Sequence, residues 1–293
     1  MTFQPPQLAV PAISTAEIAA AAKALGAAGG SSGTAKLLAL LYDEDVDVDR
    51  VLRCLNTEPT LAARVLKVAN SAYYKRAGTV GTVDRALQML GLSAIRGIAA
   101  AGCMDRMPVP ALGKGVDARA FRRHSLAVAA AAQALSQRAR AGVDAEAFMA
   151  GLLHDIGHVM LARLRPEAVL AVADLPVIDS VAGLLAETVL IGADHSNCAA
   201  LLAEAWGLPG WLGAALRTHH APPAAARVTG TDALPVLLAL GDRAALAAGF
   251  GLWPVCATTA DPAWAASLDL DEAACAEVAA GLAETLHRLA PGH

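Results

Sequence analysis

Apolar positions recur at helical spacing along most of the chain, and no segment alternates with the period of two that marks a half-buried strand. Ser14 and Glu17 form a capping-box pair ahead of an Ala-rich run, which predicts a helix to about Leu25 with Gly26 as its stop. Residues 1–13, with three prolines and no period, read as a tail, and residues 29–33 (GGSSG) as a flexible linker. Residues 35–42 predict a helix. The acidic run from Asp43 to Asp49 resembles a calcium loop only superficially. An EF-hand needs Gly sixth and Glu twelfth, where Val48 and Cys54 stand, so helix caps and a solvated loop fit better. Glu58-Pro59 marks a helix start, and Leu61, Val65, Leu66, Val68 and Ala69 form its apolar stripe. Thr82 is placed to cap a helix carrying Val83, Ala86, Leu87 and Leu90 that Gly91 closes; Ser93 is placed to cap the next, to about Met104. Leu61, Val65, Leu66, Leu87 and Leu90 are expected in the core.

The segment Met107-Pro108-Val109-Pro110, followed by Gly113 and Gly115, is the clearest boundary in the chain. Beyond it, helices are expected over 117–139, from Asp144 to His154-Asp155, over 158–164 after an interruption at Gly157, over 179–191, from His195 to near Gly207, from Trp211 to His220, over 234–248 and over 271–289. The fold class is therefore all-α. Its expected organisation is a tail (1–13), an N-terminal helical subdomain (14–107), a second helical subdomain (116–248) and a C-terminal helical extension (249–293).

Composition sharpens this picture. Of 293 residues, 56% are hydrophobic and only 4% aromatic, so the core must be aliphatic and Ala-rich helices must pack closely. The net charge of −4 and the absence of a continuous basic run argue against nucleic acid or an anionic membrane as partner. Arg64, Lys67, Lys75, Arg76 and Arg85 read as a solvated helix face. No apolar run reaches the ~18 residues of a membrane span, and the first basic residue is Lys23, unlike the charged start of a signal peptide. Five scattered cysteines without a C-x-x-C pair fit a reduced, cytoplasmic chain.

The chemistry-bearing residues cluster. Six of eight histidines fall between residues 124 and 220: His124, His154 (followed by Asp155), His158, His195, and His219-His220, with Asp242 beyond them. Imidazoles and carboxylates suit Fe, Mn, Zn or Mg, and helices that point them inward can build a centre for one or two divalent ions. Two ions could activate water for attack on a phosphate ester. Any one of these histidines taken alone reads more readily as a hydrogen-bonded core or surface residue than as a ligand; it is their clustering that points to a metal. Neighbours on a regular helix point ~100° apart, so His154 and Asp155 can serve one centre only at a helix end or through an irregularity, which Gly157 would permit.

The run GLLHDIGHVML (151–161) resembles the signature of the HD superfamily of metal-dependent phosphohydrolases. EPTLAARVLKVANSAYY (58–74), TVDRALQMLGLSAIRGIA (82–99), FRRHSLAVA (121–129), DHSNCAALLAEAWGLP (194–209) and THHAPP (218–223) together resemble a narrower family, the HDOD domain, over about residues 35–248. The resemblance implies a helical bundle packed on an HD-phosphohydrolase-like core, and a bacterial signal-transduction module that binds partner proteins or a nucleotide-type ligand without turnover. The alternative it leaves open is a metal-dependent phosphohydrolase acting on a cyclic dinucleotide or nucleotide. Carried over by motif, the metal set is His124, His154, Asp155 and Asp242. His195, His219 and His220 match further histidines of the related HD-GYP phosphodiesterases. Two features of those enzymes are missing. His158 stands at the position of a phosphate-holding Lys, and Ala221-Pro222-Pro223 stands where a Gly-Tyr-Pro loop would shape the substrate site. If phosphate is held at all, His158 or Arg123 would have to neutralise it. Trp206, Trp211, Tyr73 and Tyr74 read either as core fillers or as partner-contact anchors.

Overall fold

The computed structural model describes residues 11–27, 34–43, 45, 47–70, 80–113, 115–175, 181–222, 226–253 and 262–289. Most of the expected tail, the 29–33 linker, Tyr73, Tyr74, Lys75 and Arg76 lie outside these residues. Every extended element among the described residues is a helix, and the one β-type contact is an isolated bridge between Gly113 and Val116.

The N-terminal helices are α1 (Thr15–Ala27), α2 (Thr34–Leu41), α3 (Val48–Asn56), α4 (Pro59–Ala69) and α5 (Val83–Arg106). The capping box forms reciprocally: the Glu17 backbone N–H donates to Ser14 Oγ at 3.2 Å, and the Ser14 N–H donates to Glu17 Oε2 at 2.9 Å. The acidic run does act as a cap, since Asp47 accepts from the Asp49 N–H and starts α3, a helix the sequence pattern did not predict. Thr82 caps α5 through the Arg85 N–H at 3.2 Å. Gly91 breaks α5 with φ 79° and ψ 162°, a left-handed position that a side chain would strain. Among the described residues α5 alone is long and apolar enough to cross a membrane, but this break divides it and half of its apolar window is buried. Leu61 and Val65 are fully buried, whereas Leu66, Leu87 and Leu90 are only partly covered.

The second half is built around α6 (Ala118–Ala139), capped by Asp117. Residues 124–132 of this helix are buried on all sides. Against it pack α7 (Asp144–Leu153), α13 (Leu234–Ala247) and α15 (Glu272–Leu289). Small residues allow the close approach. A Cβ on Gly151 of α7 would lie 2.6 Å from Ala129 Cα, and one on Gly241 of α13 would lie 3.1 Å from the Ala132 nitrogen. Asp144 is the first residue of α7 and not its cap, a position Val143 holds. Its carboxylate instead accepts from Ser136 Oγ on α6 at 2.6 Å.

The remaining helices are α8 (Ile156–Leu164), α9 (Pro166–Ala173), α10 (Val181–Ile191), α11 (His195–Ala205), α12 (Gly210–Thr218) and α14 (Pro262–Ser267). Pro166 at the first position of α9 marks a helix start that the apolar pattern alone did not reveal. α11 lies against α8 and α12, and α1 packs on α8 and α11, where Trp206 Nε1 donates to Ala22 O at 2.9 Å. Trp206 is thus a buried core filler.

Candidate metal centre

The His154-Asp155 pair lies at a helix junction. α7 ends at Leu153 and α8 begins at Ile156, so the two residues occupy the turn between them. The break falls before Gly157, not at it. Gly157 is helical, and its lack of a side chain serves another purpose: a Cβ there would sit 2.6 Å from the His195 carbonyl carbon and 2.9 Å from its Cα. Gly157 therefore lets α8 touch the start of α11, bringing Asp155 and His195 together.

All seven sequence-chosen residues converge. His124 comes from α6, His154 and Asp155 from the turn, His195 from the first position of α11, His219 and His220 from the end of α12, and Asp242 from α13. Asp155 sits at the centre. Its Oδ2 is 3.3 Å from His124 Nε2, and its Oδ1 is 3.2, 3.6 and 4.0 Å from Nε2 of His154, His195 and His219. Asp242 Oδ1 is 3.5 Å from His124 Nε2. Ligand atoms of these seven fall into two groups, each within 4.8 Å: Asp155, His195, His219 and His220, and beside it His124, His154 and Asp242; a third such group joins His195 to His158 and Glu187. Five of the seven are at most 3% exposed, while Asp242 and His220 form a partly covered rim.

The hydrogen bonds assign the histidine tautomers. Nδ1 of His124 donates to Phe250 O at 2.9 Å, Nδ1 of His154 to Gly151 O at 2.8 Å, and Nδ1 of His219 to Leu216 O at 2.7 Å. Carbonyl oxygens only accept, so these Nδ1 atoms carry a proton and the rings turn Nε2 toward Asp155. His124 Nε2 and His154 Nε2 stand 3.2 Å apart, and the buried His219 Nε2 has no hydrogen-bond partner. Burial first, then the neighbouring His154 and His195, lowers the His219 pKa to about 3 and keeps that ring neutral. Burial, with His219 and His195 nearby, also holds His220 well below the ordinary value. Burial pushes the Asp155 carboxyl up, but His154 and the bonds from His124 and His154 outweigh it, and its pKa falls well below the carboxylate range. Asp242 is raised, chiefly by burial. Ring nitrogens converging on a carboxylate, with the buried His219 Nε2 lacking a hydrogen-bond partner, form a cage of ligand atoms of the kind a divalent cation satisfies.

Two residues take roles the sequence did not assign. His158 is 3% exposed; its ring stacks on His195 with centroids 3.9 Å apart, and its Nδ1 lies 3.4 Å from Glu187 Oε1. Burial and the neighbouring His195 lower its pKa to about 4. Glu187 of α10 is 1% exposed and accepts from the His195 backbone N–H at 2.7 Å and from His195 Nδ1 at 2.8 Å. In the sequence Glu187 only interrupted an apolar run. The available signal was a lone charge in an otherwise apolar helix, eight residues before a histidine. Arg123 lies over the Phe250 ring, 5.2 Å from its centroid, and lines a separate small cavity with Arg64 and Arg122.

The HDOD domain pattern matches residues 32–222, about two thirds of the sequence. The chain belongs to the HDOD family. Among solved structures, a candidate phosphohydrolase from Shewanella amazonensis SB2B is 26% identical, with a TM-score of 0.67 over 94% of this chain and 95% of that one. A candidate signal transduction protein from Marinobacter aquaeolei VT8 is 24% identical, with a TM-score of 0.66 over 94% of this chain and 63% of that one. An uncharacterised protein of Treponema pallidum (strain Nichols) is 22% identical over 185 residues, which is 62% of this chain. The HDOD chain spans about a third (35%) of that relative's length. Asp242 falls beyond the matched residues, yet α13 carries it into the same cage as the HD pair.

Proposed function

We propose that this HDOD protein is a bacterial signal-transduction module that binds a protein partner or a nucleotide-type ligand, and that a divalent metal centre holds its helices in place without turnover. His124, His154, Asp155 and Asp242, with His195, His219 and His220, would hold one or two ions of Fe, Mn, Zn or Mg, with Asp155 lying between the two groups. Such ions supply Lewis acidity toward a phosphoryl oxygen and make water more acidic.

The observation that carries the non-catalytic reading is the state of His158. Positioning of a substrate contributes ~7–11 kcal/mol to lowering a barrier, and a phosphate ester needs cations for it. The resembling phosphodiesterases place Lys at this position. Here the side chain is a buried imidazole with a pKa of about 4, turned onto Glu187 and stacked on His195. Arg123 is engaged over the Phe250 ring. These two contacts support a centre whose residues could hold metal while His158 and Arg123 are engaged elsewhere and not offered to phosphate.

The alternative, a metal-dependent phosphohydrolase, draws on the two-group arrangement around Asp155 and on the 26% likeness to the Shewanella protein. Chromatography of cyclic di-GMP after incubation with iron- or manganese-loaded protein separates the two. The scaffold reading expects no multiple turnover. Multiple turnovers by the wild type that vanish in Asp155→Ala would replace it with the phosphohydrolase. Metal analysis of untagged protein purified without added metal checks the centre itself, with Asp155→Asn expected to lose most of the bound ion.

A further inference from the structure

We propose that Glu187 is the positioning residue of the metal centre, fixing His195 for ligation through Nε2 without touching the ion. The inference rests on the metal-centre reading above. Glu187 is the one charged residue in α10, whose sequence is VAGLLAETVLI, and it is 1% exposed. A carboxylate buried in such a helix is costly unless it is paired and hydrogen-bonded. Its pairing is directed at one ligand. Oε2 takes both the backbone N–H and the ring Nδ1–H of His195, at 2.7 and 2.8 Å. Oε1 faces His158 Nδ1 at 3.4 Å, and the His158 ring lies flat on His195 with an interplanar angle of 18°. Trp253 closes the far side of His158, with centroids 4.8 Å apart. His195 is therefore held at one ring edge by Glu187 and on one face by His158, while Nε2 points to Asp155 and His220.

The other histidines with an assigned tautomer, His124, His154 and His219, give their Nδ1–H to neutral backbone carbonyls. A full negative charge at this edge makes His195 the most electron-rich donor of the set. Carboxylate–histidine–metal arrangements orient the ring and strengthen ligation, and their loss weakens metal binding by about 10- to 100-fold. Glu187 is not itself a ligand in this scheme. Nδ1 and Nε2 sit on opposite sides of the imidazole, so an ion at Nε2 is separated from Glu187 by the ring. The 2.8 Å hydrogen bond also leaves no space for an ion between Glu187 and Nδ1.

Glu187→Gln tests this, because it keeps the shape and one accepting oxygen but removes the charge. Competition between the full chain and a fluorescent chelator for Mn or Zn gives affinity, and metal analysis gives the number of ions. The expected result is the wild-type number of ions held about 10- to 100-fold more weakly. Unchanged affinity would reduce Glu187 to a space-filling residue, and loss of one ion would make it a ligand; either overturns the proposal. Should the variant not fold, nitrogen NMR of the zinc-loaded wild type with labelled histidine decides. His195 must carry its proton on Nδ1, and a proton on Nε2 overturns the assignment. A wild type that takes up no metal overturns the metal-centre reading itself, and the count on the unmutated protein reveals that before any variant is compared.

Discussion

Replacing Gly157 with Ala tests how the cage is assembled. The new Cβ would lie 2.6 Å from the His195 carbonyl carbon and 2.9 Å from its Cα, against 3.4–4 Å for ordinary contact. It would also overlap the His195 carbonyl oxygen; all these atoms are helix backbone, so no side chain can rotate away, and α8 and α11 must part by more than about 1 Å. Overpacking of this kind costs ~1–3 kcal/mol, with a rigid backbone contact at the upper end. Ala returns ~0.5–1 kcal/mol of helix propensity, leaving a net loss of ~1.5–2.5 kcal/mol. For a domain of this size class that is a fall in Tm of ~3–10 °C. Gly281→Ala in α15 is the control, since nothing lies within 4 Å of its Cβ; it should gain the propensity alone. Urea unfolding of the metal-free proteins, followed by helical circular dichroism, reads all three. If Gly157→Ala is as stable as the wild type or more so, the close approach of α8 to α11 is wrong. The account of how Asp155 meets His195 then fails with it.

Leu61→Ala should cost ~2–5 kcal/mol, because Leu61 is 1% exposed and lies against Gly102 of α5; an effect below ~0.5 kcal/mol would show the α4–α5 interface misplaced. Metal-free protein should lose stability as pH falls from about 6.5 toward 4. Folded His158 titrates at about 4 and the unfolded ring near 6.5, so the unfolded chain takes up protons first. The His158 share is on the order of 3 kcal/mol, and His219 acts in the same direction with a folded pKa of about 3. Asp155 and Glu187, both lowered, extend the loss as pH falls further, while the raised Asp242 opposes it over its own range. A urea midpoint that stays flat between pH 7 and 5 would contradict buried neutral imidazoles. Saturating Zn or Mn at pH 7.5 should raise Tm in proportion to the logarithm of free metal, and Asp155→Asn should largely abolish that rise.

Most of this was legible where residue type and local period agree. Ser14 with Glu17, and Thr82, announce caps that form as expected, and the apolar stripes give the helical class. The seven cage residues were chosen by motif and chemistry, and the helices bring them together. What escaped depends on packing. Leu66, Leu87 and Leu90 share a stripe with buried neighbours yet stay partly open, because period sets a face and not how far another helix covers it. In sequence, Gly157 suggests backbone freedom, whereas in the fold it serves a helix-to-helix contact with a residue 38 positions later. His158 looked available to phosphate because its confinement comes from Glu187, His195 and Trp253 on three other segments.

The uneven cover of the cage has a kinetic meaning. Asp155 and four of the imidazoles are sealed, and only His220 and Asp242 border the outside, with Asp242 18% exposed. An ion arriving from solvent must exchange its water first with this rim pair and reach the inner nitrogens afterwards; on leaving it must reverse that order. If the proposed centre takes up metal, Asp242 would be the first carboxylate an incoming ion meets and the last a departing one leaves. Exchange should then be slow compared with affinity alone, so the centre would preserve the metal it received when the chain folded instead of following the metal currently in excess.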